Sequence, residues 1–121
     1  MEKFKFGDIV SIDDKYIEYN IDTCMADVKP IRTTKELFEK LGFNFYSGWK
    51  CSYGLYREND TYIQITLNAH GTIVCYKNSR LVFRTNSCKY LHDFQKLVEY
   101  INSTQNNILE KLEQNIKDLI K

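Results

Sequence analysis

Four runs of alternating residues, Trp49 to Arg57, Thr61 to Asn68, Thr72 to Lys77 and Leu81 to Thr85, follow one another so closely that they constrain the fold more than any other feature. The connectors between them, Glu58-Asn59-Asp60, Ala69-His70-Gly71 and Asn78-Ser79-Arg80, are short and polar or carry glycine. Such links suit hairpins, whereas a parallel crossover needs a dozen or more residues. The stretch therefore reads as an antiparallel meander, with Phe43 to Tyr46 as an extension ahead of it. Parallel topology is excluded for these strands.

Side chains alternate across a strand. Ile63, Ile65 and Leu67 thus share one face, expected to be core, and Tyr62, Gln64, Thr66 and Asn68 share the other. By the same alternation Trp49, Cys51, Tyr53 and Leu55 oppose Lys50, Ser52, Gly54 and Tyr56, while Leu81 with Phe83 opposes Val82 with Arg84. One sheet face is then apolar and the other mixed.

Helices flank the meander. Thr33-Thr34-Lys35-Glu36 matches a capping box, with Thr33 as the cap and Glu36 reaching back to it. Leu37, Phe38 and Leu41 make an apolar stripe, and Gly42 stands where a left-handed cap ends the helix. After the strands, Asn86 or Ser87 can cap a helix from about Lys89 to Ile101, whose Leu91, Phe94, Leu97, Val98 and Ile101 recur at helical spacing. The polar run Asn102 to Asn107 either interrupts or extends it. Leu109, Leu112, Ile116 and Leu119 then repeat in a three-four-three pattern, which suits a tail packed on its own domain or a helix that meets a second copy or a partner.

Ahead of all this, Phe4 to Ile12 and Tyr16 to Ile21 read as two short strands joined by Asp13-Asp14, followed by an aperiodic loop to Ile31. The expected fold is α+β: an N-terminal hairpin, a short helix, an antiparallel meander of four or five strands and a long C-terminal helix on one face. As domains, it is one unit over 1–121, with a hairpin and loop over 1–32, a helix-meander-helix core over 33–102 and an amphipathic helix over 103–121. A length of 121 residues with 43% apolar composition supports such a core without disulfides or metal.

The chemistry-bearing residues are sparse. The cysteines Cys24, Cys51, Cys75 and Cys88 form no C-x-x-C pair and have no histidine at ligand spacing, so free thiols are expected and no metal site. His70 falls at a hairpin tip and His92 beside Asp93 on a helix, neither within a catalytic motif. Asp13-Asp14, Asp8 and Glu18 read as turn and surface acids. Scattered glycines make neither a phosphate loop nor a dinucleotide fingerprint. No catalytic residue and no cofactor is expected.

The net charge of +1 argues against a protein dominated by a dense phosphate-neutralising face and leaves room for a local basic patch. The N-terminal residues lack the apolar run of a signal peptide, and no stretch approaches the ~20 apolar residues of a membrane helix. A cytoplasmic location and no membrane partner are expected.

Aromatics and cations are plentiful on the meander. Tyr46, Trp49, Tyr53, Tyr56, Tyr62, Tyr76 and Tyr90 accompany Lys50, Arg57, Lys77, Arg80 and Arg84. Rings interleaved with cations bind single-stranded nucleic acid on sheets. Tyrosine and arginine are also enriched at protein interfaces, and tyrosine suits strands through packing alone. Tyr53, Tyr56, Tyr62, Tyr76, Arg80 and Arg84 are the candidate partner-binding residues. Leu109, Leu112, Ile116 and Leu119 are the candidate oligomer or partner helix, through which a homodimer could form.

Two stretches carry resemblances. Phe4-Lys5-Phe6-Gly7-Asp8-Ile9-Val10 resembles the opening strand of small SH3-like barrels, although the helix after Thr34 departs from a pure barrel and no site is carried over. The run Thr33 to Phe43 leading into the strands resembles, over roughly Thr33 to Asn102, small orphan proteins of phages and mobile elements whose genomes favour Lys, Asn, Ile and Tyr. Such proteins often inhibit host defence machinery, CRISPR nucleases included, by occupying a surface. The resemblance implies a non-enzymatic interaction protein, an anti-defence inhibitor with a protein partner in the host cytoplasm. The alternative from the residues is a nucleic-acid-binding accessory protein that uses the basic-aromatic face.

Overall fold

The computed structural model describes residues 4–47, 52–67, 72–86 and 88–120. Its elements run β1 (Ile9–Ile12), β2 (Lys15–Glu18), α1 (Lys35–Lys40), β3 (Asn44–Ser47), β4 (Ser52–Glu58), β5 (Thr61–Leu67), β6 (Thr72–Lys77), β7 (Arg80–Thr85), α2 (Leu91–Thr104) and α3 (Glu110–Lys117), with a 3-10 turn at Asp118–Ile120. Strands β3 to β7 form one antiparallel sheet in sequential order, and β1 with β2 a separate hairpin. This is the α+β architecture that the alternation and the short connectors require.

Turn chemistry sets the hairpins. Asp13 and Asp14, and again Asn78 and Ser79, lie at positive φ, as a two-residue type I′ turn demands. Glu58 pairs with Thr61 and Lys77 with Arg80, so these residues belong to strands and not to the connectors. At β6 and β7 the register shifts between Cys75 and Tyr76: Cys75 pairs with Phe83, Tyr76 with Leu81, and Val82 is the extra residue. As a result Val82 and Phe83 both pack against the core while Leu81 is turned out, instead of Leu81 and Phe83 sharing a side.

Helix α1 begins one residue later than its capping box suggests. Thr34 is the N-cap and accepts the Leu37 N–H at 3.1 Å. The Thr33 hydroxyl donates instead to the carbonyls of Cys88 and Lys89, tying the entry of α1 to the entry of α2. Gly42, at φ +106°, closes α1 in a Schellman arrangement, with Phe43 N–H bonded to the Phe38 carbonyl and Gly42 N–H to that of Glu39.

Helix α2 starts at Leu91 after Tyr90, whose side chain makes no cap bond. Asn86 thus lies too far upstream to cap it, and Ser87 is outside the described residues. Its stripe Leu91, Phe94, Leu97, Val98 and Ile101 is buried, as its spacing requires, and so are the polar His92, Gln95 and Asn102. The burial extends round the helix because α2 meets the sheet on one side and the hairpin on the other. Phe94 packs edge-on to Phe38 and Phe43. Gln95 accepts the Ile9 N–H at 3.0 Å and donates to the Gly7 carbonyl at 2.7 Å.

The polar run after α2 is a break. Asn106 and Asn107 take left-handed conformations, and the Asn102 side chain bridges to both backbone groups of Leu109. Helix α3 then turns back onto the core, burying Leu109, Leu112 and Ile116 completely or nearly so, with Leu119 partly buried beside them. The three-four-three seam is therefore covered by the chain itself and presents no apolar stripe to a second helix. Two β4 side chains fix the start of α3. The Glu58 carboxylate accepts N–H bonds from Lys111 and Leu112 at 3.0 and 3.1 Å, and a hydroxyl bond from Tyr56 at 2.7 Å.

Candidate functional site

The helices leave one face of the large sheet bare of core partners. The inner face carries Phe43, Tyr56, Ile63, Ile65, Ile73 and Cys75, all buried. On β4 the core positions are Gly54 and Tyr56, the reverse of the set grouped with Tyr53 and Leu55. The Phe45 ring lies over Gly54, where a Cβ would come within 2.8 Å of it. An aromatic on one strand thus fills the space that glycine leaves on its neighbour.

The outer face can be read from the strand register. One row runs Tyr46, Tyr53, Thr66, Thr72; the next Asn44, Leu55, Gln64, Val74, Arg84; the third Arg57, Tyr62, Tyr76, Leu81. Tyr62 and Tyr76 stack with centroids 5.1 Å apart and planes at 22°. Tyr46 and Tyr53 stack at 5.6 Å and 29°. Tyr46 is 48% and Leu81 58% exposed, and the remaining tyrosines are half-buried by one another.

Its charge is one-sided. Arg57 and Arg84 are the ionised groups in these rows, and among the described residues no carboxylate and no lysine shares them. Four tyrosines, two arginines and three aliphatics therefore lie on a surface fixed by hydrogen bonds on a sheet.

The candidate residues fall as follows. Tyr53, Tyr62, Tyr76 and Arg84 are brought together on this face, and Tyr46, Leu55, Arg57 and Leu81 join them. Tyr56 is not on it: its ring is 5% exposed in the core, and its hydroxyl is committed to Glu58. Burial, then the bond to Glu58 and its charge, push the Tyr56 phenol well above the ordinary range. Arg80 sits at the hairpin end beside Lys77. Trp49, Lys50, Cys51 and His70 lie outside the described residues.

Among the described residues no cluster of three or more His, Cys, Asp or Glu could hold a metal ion. Burial pushes the Cys75 thiol up to about 11, and burial with the nearby Asp93 carboxylate pushes Cys88 up to about 12. Both are neutral thiols near pH 7 and poor nucleophiles. No described helix is long and apolar enough to cross a membrane. Comparison with protein-family models, with curated proteins and with solved structures found no match.

Proposed function

We propose that this chain is a non-enzymatic binding module that docks a protein partner on its tyrosine face. The supporting observation is the composition of the three outer rows: Tyr, Arg, Leu and Val at nine positions with Asn44, Gln64, Thr66 and Thr72 between them, and Asp, Glu, Lys, Ser and Ala absent from the described positions that the register assigns to them. Protein interfaces are enriched in aromatics and arginine and depleted in lysine, carboxylates, serine and alanine, and their energetic centres are tyrosine, tryptophan and arginine. Cross-strand stacking holds the rings in place before binding, which lowers the ordering cost of association. Arg57 and Arg84 favour a partner surface that bears carboxylates.

A partner in host defence, such as a CRISPR nuclease occupied by an anti-defence inhibitor, is the class that the sequence resemblance implies and the first to test. The test is binding of the purified partner by wild type and by a Tyr62→Ala/Tyr76→Ala variant. Retention by wild type and loss by the variant support the reading; equal retention counts against it.

Single-stranded nucleic acid is the second reading, favoured by the adjacency of Arg57 to Tyr62 in the third row. Two observations weigh against it. The tyrosines stack on each other, which leaves less ring surface for bases, and the described rows hold two cations. Nuclease treatment of the complex separates the two readings.

A further inference from the structure

Helix α2 carries Lys96, Leu97 and Tyr100 three, four and seven residues after Asp93, so the four side chains share one stripe of its surface. That stripe meets Phe83 of β7, and Cys88 between β7 and α2, around a cavity of about 380 Å³. Small-molecule sites begin at about 300 Å³ and combine apolar walls with a few placed polar groups. Leu97 and Cys88 are buried and Phe83 partly so. Tyr100 is 55% exposed, its ring edge-on to Phe83 at 5.8 Å. Two rings and an aliphatic side chain thus wall one part of the cavity.

Asp93 and Lys96 make up its charged part. Opposite charges three residues apart on a helix can pair, yet these two line the cavity without an ion pair between them. Burial and then the Asp93 charge raise the Cys88 thiol, which sets that carboxylate beside the cavity's sulfur. The basic group next to Asp93 among the described residues is His92, whose Nε2 stands 3.8 Å away, too far for a hydrogen bond. The Lys96 ammonium makes no hydrogen bond or ion pair among the described residues. An anion and a cation therefore lie one helical turn apart beside the apolar wall, each able to take a ligand group.

We infer that this cavity binds a free α-amino acid with an apolar side chain: Asp93 takes its ammonium, Lys96 its carboxylate, and Phe83, Leu97 and Tyr100 its side chain. Charge complementarity selects this class. A plain amine pairs with Asp93 but meets the like charge of Lys96, and a plain carboxylate pairs with Lys96 but meets that of Asp93. A residue inside a peptide carries neither charge, because both groups are tied up in amide bonds. The α-carbon of a free amino acid holds both charges and the side chain together, as this wall holds its two charges beside its apolar part. An aromatic side chain gains most, since a third ring can pack on Phe83 and Tyr100. The cavity is on the helix side of the sheet, so binding there does not depend on the tyrosine face.

The test titrates L-phenylalanine into isotope-labelled protein and follows the backbone amides by NMR. A ligand of this size in an open cavity should bind with a dissociation constant on the order of 1 mM or tighter. The amides of Phe83, Lys96, Leu97 and Tyr100 should shift saturably. Phenethylamine, which lacks the carboxylate, and hydrocinnamate, which lacks the ammonium, should each bind about two- to fivefold more weakly, the scale of one partly exposed ion pair. Two variants separate the charges. Asp93→Asn should weaken L-phenylalanine and phenethylamine but not hydrocinnamate, and Lys96→Gln should weaken L-phenylalanine and hydrocinnamate but not phenethylamine. Tyr100→Ser, at an exposed position, should weaken all three, and Tyr62→Ala none. No saturable shift at these amides up to about 10 mM, either analogue binding as tightly as L-phenylalanine, or indifference to both charge changes would overturn the proposal.

Discussion

Tyr62 and Tyr76 stack across β5 and β6 on the sheet face that no helix covers, with ring centroids 5.1 Å apart. A cross-strand aromatic pair contributes about 0.2–1 kcal/mol to a sheet, a minor share of total stability. Replacing both rings with alanine should therefore lower stability by about 1 kcal/mol or less while removing partner binding. Denaturant melts beside a binding assay on the same variant measure the two effects separately.

Glu58 caps α3 from a distant strand, accepting from Lys111 and Leu112 while Tyr56 donates to the same carboxylate. Loss of a helix cap costs about 0.5–2 kcal/mol, and a half-buried hydroxyl left without its acceptor adds to it. Glu58→Ala should destabilise by about 1–3 kcal/mol, and the amides of Lys111 and Leu112 should exchange faster. Unchanged exchange at those two amides would argue against the cap.

Gln95 holds the N-terminal hairpin to α2 through two hydrogen bonds of 3.0 and 2.7 Å. Gln95→Leu keeps the volume and leaves the Ile9 N–H and the Gly7 carbonyl unpaired, which should cost about 1–3 kcal/mol. The loss should appear as faster exchange at the Ile9 amide, with β5 amides less affected.

How far the sequence could be read depends on how clearly each segment alternates. Strand β5 has strict alternation, and its Ile63 and Ile65 face the core as expected. Strand β4 reads Tyr53-Gly54-Leu55-Tyr56, apolar on both sides, so periodicity does not choose its inner face. The Phe45 ring over Gly54 does, and that contact is tertiary. Arg80-Leu81-Val82-Phe83 hides a bulge for the same reason. The buried amides of Gln95 and Asn102 gave no sequence signal, because each is paid for by a partner 88 or 7 residues away. Of the candidate site, the outward placement of Tyr62 and Arg84 was legible through alternation, whereas the ambiguity in β4 left Tyr53 and Tyr56 unseparated and alternation assigned Tyr76 no face.

Gly54 is held in place by the ring above it. A Cβ would lie 2.8 Å from Phe45, inside any ordinary contact. Gly54→Val should cost about 1–3 kcal/mol through overpacking, and pairing it with Phe45→Ala should recover part of the loss. Thermal melts of the two single variants and the double variant measure that coupling.

The buried thiols set a stability window at high pH. Cys75 and Cys88 rise from an ordinary value of 9.0 to about 11 and about 12, so the folded state holds their protons longer than the unfolded chain does. Their contribution is full below pH 9 and is lost as pH rises toward 11 to 12. Replacing both with alanine should flatten that part of the stability curve, measured by urea melts from pH 8 upward.

The central claim, that the outer tyrosine face binds a protein, is tested most directly by affinity capture from a lysate of the cell in which the chain acts. Wild type and Tyr62→Ala/Tyr76→Ala are compared, with and without nuclease, and co-purifying material is identified by mass spectrometry. The account predicts a protein that survives nuclease, is retained by wild type and is lost by the variant. A protein held equally by both, or nucleic acid alone, would contradict it.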